Sequence, residues 1–597
     1  MVALGGAPGW CGNAEVPPAA ASETTQRLLA KLGGDPLICF YTDDARALPG
    51  KMALTYLNKA LHDPSYTRGL ATLRAMIRQG AGADVTALWP DFSLHVSGPM
   101  VMAMLPGDAA KDEPAFKVVL AVLTPTAESA VQLQTLWPKV APQSNKLFSA
   151  LRLLTVLPEE LPAIAAQPLP GGDLVMRIRS RSLSEMVEKW MKDENHEHTN
   201  PLESVMPAIS EIVYEEIEEL SLSLRFNGTR INDELRLTAY KYPDEKDAEE
   251  AVFMKCVECI KEKPAVFDSL LAATPGEQDL VLIGQLHMAA LGDNLQYGAQ
   301  SLERYMRGKK WSRSVGVTAE AMESKRFQFL FDRLQGSFSL SAKPALSGDL
   351  RLTMATAINN ANVQAVRTDL LKGLSGVGAE FESLDEARKI GGVAPLGATF
   401  RGRGMFGAPV LGLSPGWVWL CSNSGAYQEL TGAFKVGKTM AAESARDKKA
   451  DFWRNGDAVR LQIEFEKVIR LAYAAWLVSG EEGLYLGSWK VPAEMLPQPQ
   501  VFTGLGGYRA GMSREGRTVS IYSSSTIPGG SLLLAALLQR SAQQIEFARY
   551  LNRRSQTQQI PPNAALLPPL KNSKTDPRPA PPTLEGVPPK IDLQEKP

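Results

Sequence analysis

Histidine is the side chain most able to move protons near neutral pH, and this chain has five: His62, His95, His196, His198 and His287. The one cluster is Asp193-Glu194-Asn195-His196-Glu197-His198. Alternate residues of an extended segment point the same way, so His196 and His198 could share a zinc or nickel ion with Glu194. The cluster follows a helix that ends near Lys192, where the helix dipole also favours histidine as a solvated residue. That reading leaves the three as weak metal candidates and implies no resident cofactor. His95 falls in Phe92-Ser-Leu-His-Val, read as an apolar strand, and His287 in another apolar run. Both are expected to be hydrogen-bonded structural histidines. HExxH does not occur and no GxSxG is read as a nucleophile elbow, so no hydrolytic nucleophile or zinc-protease helix announces itself. Glu216, Glu218 and Glu219 read as the solvated face of a helix.

Gly402-Arg-Gly404-Met-Phe-Gly407 satisfies GxGxxG. That motif works only where a strand ends and a helix amino terminus meets a pyrophosphate. Pro409 and Pro415 follow within a few residues and exclude such a helix, so the segment is read as a glycine-rich β-turn. Gly504-Leu-Gly-Gly507 lacks the Lys-Ser/Thr of a P-loop. Phe400-Arg-Gly-Arg-Gly-Met-Phe406 interleaves basic and aromatic residues, but Lys plus Arg total 64 against 65 for Asp plus Glu. A neutral chain with one short basic patch gives no case for nucleic acid. Cys256 and Cys259 form a CxxC inside an apparent amphipathic helix and are read as two thiols without a metal partner pair. Five cysteines cannot build a disulfide framework.

Apolar ligand binding has a better claim. Met100, Met102 and Met104 alternate along one strand, and methionine adapts to varied apolar shapes. They are the candidate lining of a ligand groove, set against the simpler expectation that they face the core.

The elements that must position these residues follow a repeated grammar. An aspartate after a polar or Gly-rich turn opens an apolar strand at Asp35, Asp173, Asp279 and Asp457. Helical periodicity follows over 51–62, 182–191, 294–306 and 467–478. Alternating strand pairs come next: 92–104 with 116–123, 220–227 with 234–240, 338–343 with 349–354, and 508–512 with 518–522. The second pair carries Asn227-Gly228, a strong hairpin signal. A second helix closes each unit, after Pro125, after Pro243, from Asn359 and after Pro528. The expected fold is α+β: four degenerate strand-helix-hairpin-helix units at 25–150, 151–270, 271–440 and 441–558. Their antiparallel sheets, merged edge to edge into one long sheet, are expected to carry helices on the apolar face only. The third unit holds an extra glycine-rich β segment, Ala398 to Asn423.

Residues 1–24 read as a flexible leader or the remnant of an export signal, and 559–597 as a disordered Pro-rich tail with paired prolines such as Pro561-Pro562. No apolar run reaches the roughly 20 residues of a spanning helix. A hydrophobic content of 44% suffices for real cores.

The Asp-led strand openings, Leu61-His-Asp-Pro64, the hairpin-then-helix order and Cys421-Ser-Asn-Ser entering a helix resemble a family of large bacterial proteins, generally exported, that carry a domain of unknown function. The resemblance implies a cell-envelope location and transfers no catalytic residue. The expected function is a non-enzymatic binding or scaffolding protein, periplasmic or secreted, with a cytoplasmic location as the alternative. A protein partner or an apolar ligand is its expected counterpart. The alternatives in function are a periplasmic carrier of a lipid or other apolar ligand, and a hydrolase whose site assembles from distant residues.

Overall fold

The computed structural model describes residues from Ala20 to Gly529, apart from 62–90, 107–115, 141–150, 186–215, 244–251, 291–333, 401–407, 447–456, 469–482, 493–502 and shorter breaks. All of these described residues lie in the first of two compact units, Met1–Ala542 and Gln543–Pro597.

Four three-stranded antiparallel meanders account for most of the strands. In the first, β1 (Ile38–Thr42) pairs with β2 (Met100–Pro106), which pairs with β3 (Phe116–Leu123). The strand β4 (Leu151–Val156) then adds to β3 in parallel, an exception to the antiparallel expectation. It can do so because the helix α4 (Ala127–Val140) intervenes, as a parallel crossover requires. The second meander is β5 (Leu174–Ile178), β6 (Ile217–Asn227) and β7 (Arg230–Ala239). The third is β8 (Leu280–Gln285), β9 (Leu334–Pro344) and β10 (Leu350–Ile358). It is extended by β11 (Ala379–Ser383), β12 (Leu396–Phe400), β13 (Val410–Ser414) and β14 (Trp417–Cys421), with β14 beside β10. The fourth is β15 (Val459–Ile463), β18 (Tyr508–Glu515) and β19 (Thr518–Ser525). Between its strands a separate hairpin forms from β16 (Gly483–Leu486) and β17 (Trp489–Pro492).

The meanders fuse into one sheet of 17 strands. The leading strands β1 and β5 pair with each other, as do β15 and β8, while the third strands β7 and β19 join the two halves. Along the sheet the meanders therefore run first, second, fourth, third. The two leading-strand joints share one register. Ile38, first in β1, faces Ile178, fifth in β5; Val459, first in β15, faces Gly284, fifth in β8.

The described helices are α1 (Glu23–Lys31), α2 (Leu48–Leu54), α3 (Tyr56–Leu61), α4 (Ala127–Val140), α5 (Val252–Glu258), α6 (Asp268–Ala273), α7 (Val363–Ser375), α8 (Ser424–Val436) and α9 (Met440–Arg446). They cover both faces of the sheet, which corrects the one-face expectation. Leu28 and Leu29 of α1 pack on Val101 and Ala103 of β2, whereas Leu133 of α4 packs against Met100 and Met102 on the other face. Likewise α8 meets Val410 and Trp419 while α7 meets Leu411, Leu413 and Val418. The reason lies in the strands: all five residues of β13 are buried, so neither face can be left to water. Even the serine-rich face of the central hairpins is covered, with Ser221, Ser223, Ser339 and Ser341 at 5% exposure or less. Small hydroxyls tolerate this because they find local partners, as Ser339 does in the Thr274 hydroxyl at 2.8 Å.

Local signals are honoured with adjustments. Asn227 pairs with Arg230, so the tight turn is Gly228-Thr229, with a positive φ of 59° at Gly228 alone. That is the type II′ pattern rather than a turn with Asn-Gly at both centres. Asn423 caps α8 by accepting the Ala426 N–H at 2.9 Å, and Gly437 ends it with φ 68°. Helix α1 begins within the segment read as a leader; Ser22 caps it and donates to Asp43 at 2.8 Å. Glu216, Glu218 and Glu219 introduce or occupy β6 instead of a helix. Among the described residues no helix is long and apolar enough to cross a membrane. The Pro-rich tail lies outside the described residues.

Candidate functional site

The residues singled out in the sequence do not converge. Glu194, His196 and His198 lie outside the described residues, as does the GxGxxG stretch from Gly402 to Gly407. His95 follows a single helical turn at 91–94 instead of sitting in a strand, and its backbone N–H donates to Phe92 O at 3.2 Å. Pro99 ends the segment before the strand starts at Met100, which confines the alternating pattern to the C-terminal part. His287 is exposed, with its backbone N–H on Cys259 O. Met100 and Met102 are half-buried against Ala45, Phe92, Val122 and Leu133. Met104 is buried in a neighbouring cluster with Leu37, Ile178 and Leu235. The methionine row thus spans two packed cores. Cys39 and Cys421 are buried and their thiols are pushed up to about 12, chiefly by desolvation. Cys259 is buried too.

Two cavities lie around the third meander, and neither was legible from a motif. The first is a charged cleft of ≈390 Å³ where the β8 opening meets α9 and the end of β15. Its wall begins with the turn Pro275-Gly276-Glu277-Gln278. Gly276 N–H donates to Lys438 O at 3.0 Å, and Met440 N–H to Thr274 O at 3.0 Å, so α9 starts docked on this turn. Gly276 lies so close to the Glu443 carboxylate that an added methyl would collide with it. Glu277 has φ 55°, the only positive φ of a non-glycine among the described residues. Such conformations cost of order 1–3 kcal/mol and cluster at functional sites.

Asp279 anchors the cleft. Its side chain is 10% exposed and accepts Lys467 Nζ at 3.0 Å, while its carbonyl takes the Glu464 N–H at 2.7 Å. The Asp279 carboxylate holds the Lys467 ammonium above its ordinary range. Glu277 stands 4.0 Å from Lys343 and 3.6 Å from Lys438. Gln462, on β15, donates from Nε2 to Glu464 Oε1 at 3.2 Å. Its Oε1 is buried and has no hydrogen-bond partner.

The second cavity is an aromatic groove of ≈360 Å³. Trp417 and Trp419 alternate on β14 with ring centroids 6.3 Å apart and planes 29° apart. Phe434 of α8 meets Trp419 edge-on at 5.6 Å. Trp419 Nε1 donates to Ala273 O at 3.1 Å, which satisfies the indole and fixes its plane. Ile390 and Pro415 complete the apolar lining. The Trp417-Val-Trp419 alternation could have signalled one aromatic face from sequence; the charged cleft had no comparable signal, since its residues are spread from 277 to 467.

A second polar cluster is structural. Arg460 of β15 is fully buried, pairs with Asp457 and lies 5.7 Å from the centre of the Tyr522 ring. The Tyr522 hydroxyl donates to Asp457. Gly511 leaves the space that Tyr522 and Asp457 fill.

No family model matches the chain, and no curated protein matches it. Among solved structures, crystal form III of TP0453 is matched at 8% identity and TM-score 0.21, over 46% of this chain and 100% of that one. Crystal form IV of the same protein is matched at 10% identity and TM-score 0.21, over 45% and 96%. A TM-score of that size says nothing of what this chain binds.

Proposed function

We propose that the chain is a non-enzymatic binding or scaffolding protein of a bacterial envelope, periplasmic or secreted, built from four degenerate copies of one strand-helix-hairpin-helix unit. The observation that carries this reading is the pairing plan of the sheet. Each Asp-led strand opens a meander of the same connectivity, and the joints β1·β5 and β15·β8 repeat one register. The plan also accounts for uneven unit lengths. The long first and third units lie outermost, where β4 or β11–β14 extend them, and the short second and fourth units meet at β7·β19. Two tandem copies of a two-unit half would produce that order.

Fusion of the meanders makes one stiff platform covered on both faces, and its charged cleft falls at a seam. The charged cleft lies where the third and fourth units join, and the aromatic groove lies on the outward extension of the third. Recognition sites set on a rigid scaffold are the common arrangement for binding proteins. The envelope location rests on the resemblance to exported bacterial proteins.

The carrier reading draws on the Trp417–Trp419–Phe434 groove, whose lining suits an apolar ligand. A histidine-dependent hydrolase would place His95 or His287 beside a nucleophile, and neither lines the cleft or the groove.

Native mass spectrometry of the full chain purified from its own host, with organic extraction, tests the proposal. A protein partner at fixed stoichiometry is the expected result. A stoichiometric lipid would replace the scaffold with the carrier. Hydrolysis of an extracted host metabolite, lost on substituting His95 or His287, would overturn both.

A further inference from the structure

The large sheet ends in two open edges. Among the described residues β4 pairs only with β3, and β11 only with β12. At the first edge Val156 O accepts the Thr124 N–H at 2.9 Å, so the backbones of Val156, Leu154 and Arg152 turn towards β3. The N–H and C=O groups of Leu151, Leu153 and Thr155 therefore face outwards. That row stops at Leu157, whose N–H donates to Glu160 Oε2 at 2.9 Å. At the second edge the Leu384 N–H donates to Pro395 O at 2.9 Å, so the backbones of Glu382 and Glu380 turn towards β12. Ala379, Phe381 and Ser383 form the outward row there. Exposed edges are usually blunted by lysine or proline, and neither strand contains either residue.

The two edges match each other. Tracing paired positions from strand to strand puts Arg152 and Leu154 of β4 on the same face of the sheet as Glu380 and Glu382 of β11. One step on that path, β3·β4, is parallel and the other fifteen are antiparallel, so β11 runs opposite to β4. A second copy that continues the sheet in the same orientation therefore brings β11 antiparallel to β4, with like faces aligned. Pairing Leu153 with Phe381, Leu151 with Ser383 and Thr155 with Ala379 engages both outward rows in full. Phe381 then stands opposite Leu153, whose face packs on Leu133 and Trp137. On the other face the exposed Arg152 stands opposite Glu382, in the closer, non-hydrogen-bonded kind of pair.

We propose that copies of this chain join head to tail by strand addition, β11 of one onto β4 of the next. Charge selects this joint over the two symmetric ones. Joining β11 to β11 about a two-fold axis sets Glu380 opposite Glu382, and joining β4 to β4 sets Arg152 opposite Leu154. Only the mixed joint gives each charge its opposite. It also repeats the chain's internal plan, since β1·β5, β15·β8 and β7·β19 are all antiparallel unions of one meander's edge with another's. A heterologous joint does not end at two copies: it closes into a ring or grows into a filament. The proposal goes beyond the scaffold reading and does not depend on it.

Sedimentation velocity of the full chain over a concentration series tests the joint. Species that grow beyond a dimer as concentration rises are expected. Arg152→Glu and Glu382→Arg, each alone, should weaken association roughly tenfold or more, because every joint then opposes like charges. An equimolar mixture of the two variants should assemble again, since each offers the other an opposite charge at both edges. A misfolded variant cannot reproduce that rescue. A wild-type chain that stays monomeric, an assembly that ends at a dimer, or a mixture that stays dissociated would overturn the proposal. None of these results bears on the recovery of a different partner by mass spectrometry.

Discussion

Lys51 on α2 holds Asp173 at the mouth of β5, with Nζ 2.6 Å from Oδ1, across the joint between the first two meanders. Lys467 holds Asp279 in the corresponding place between the fourth and third, at 3.0 Å. Both aspartates directly precede their strands, and each donates its N–H to the neighbouring hairpin, to Leu224 O and Ala342 O respectively. Asp35 and Asp457 sit one or two residues further back, and their partners are Arg179 and Arg460. Asp173 and Asp279 are therefore equivalent, whereas Asp35 reaches Arg179 across the β1·β5 joint and Asp457 pairs with Arg460 three positions along its own segment.

Asp173 has a second duty: its Oδ2 accepts the Phe226 N–H at 2.7 Å. Asp173→Ala should therefore destabilise the protein by about 1–3 kcal/mol through the lost charged hydrogen bond. Lys51 is 44% exposed, so Lys51→Ala should cost under about 1 kcal/mol. Urea unfolding of the two variants should separate them, and equal shifts would show that the backbone contact contributes nothing.

The buried thiols of Cys39 and Cys421 carry a pH dependence. Burial raises each from 9.0 to about 12, so the folded state favours the neutral thiol. Their contribution to stability is fully present below pH 9.0 and is lost as pH rises towards about 12. Iodoacetamide at pH 8 should leave both unmodified in the native protein and alkylate both in guanidinium. Native-state labelling at either, read by peptide mass spectrometry, would contradict the packing around it.

At the Arg460 cluster the space is as important as the charge. Gly511→Ala sets a methyl against the Tyr522 hydroxyl and Asp457, and overpacking of this kind costs about 1–3 kcal/mol. Asp457→Ala removes the carboxylate beside a fully buried guanidinium, a loss of about 3–5 kcal/mol. Melting temperatures should rank Asp457→Ala below Gly511→Ala, and the opposite order would mean that the pair is solvated.

In the aromatic groove Trp419 is 3% exposed and its indole is hydrogen-bonded, whereas Trp417 is half-buried. Trp419→Ala should cost about 3–5 kcal/mol, the usual range for truncating a buried tryptophan. Trp417→Ala should cost clearly less and should abolish any binding of an apolar fluorophore to the groove. Fluorophore binding that survives Trp417→Ala would place the apolar site elsewhere.

Local order was readable where a residue acts within a few positions of itself. The β6–β7 hairpin follows from alternation and Gly228, and α8 follows from Asn423 as cap and Gly437 as stop. The glutamates at 216–219 misled because charge in a row reads as a helix face. In the structure Glu219 reaches Arg177 on β5 at 2.7 Å and Glu218 reaches Arg517 after β18 at 3.0 Å. Those partners are cross-strand and lie 42 and 299 positions away, beyond any periodic window.

The sequence by itself determined the α+β character, the strands opened by aspartates, the hairpins and the helix caps. Each depends on backbone preference and on an apolar pattern that repeats every two residues or every three to four. Tertiary structure alone decided that the meanders run first, second, fourth, third, that helices cover both faces, and that Gln462 meets Glu443 and Asp279 in one cleft. Those outcomes depend on which exposed strand edge finds which other edge. Every open edge offers the same N–H and C=O groups, so the choice is settled by packing among residues hundreds of positions apart.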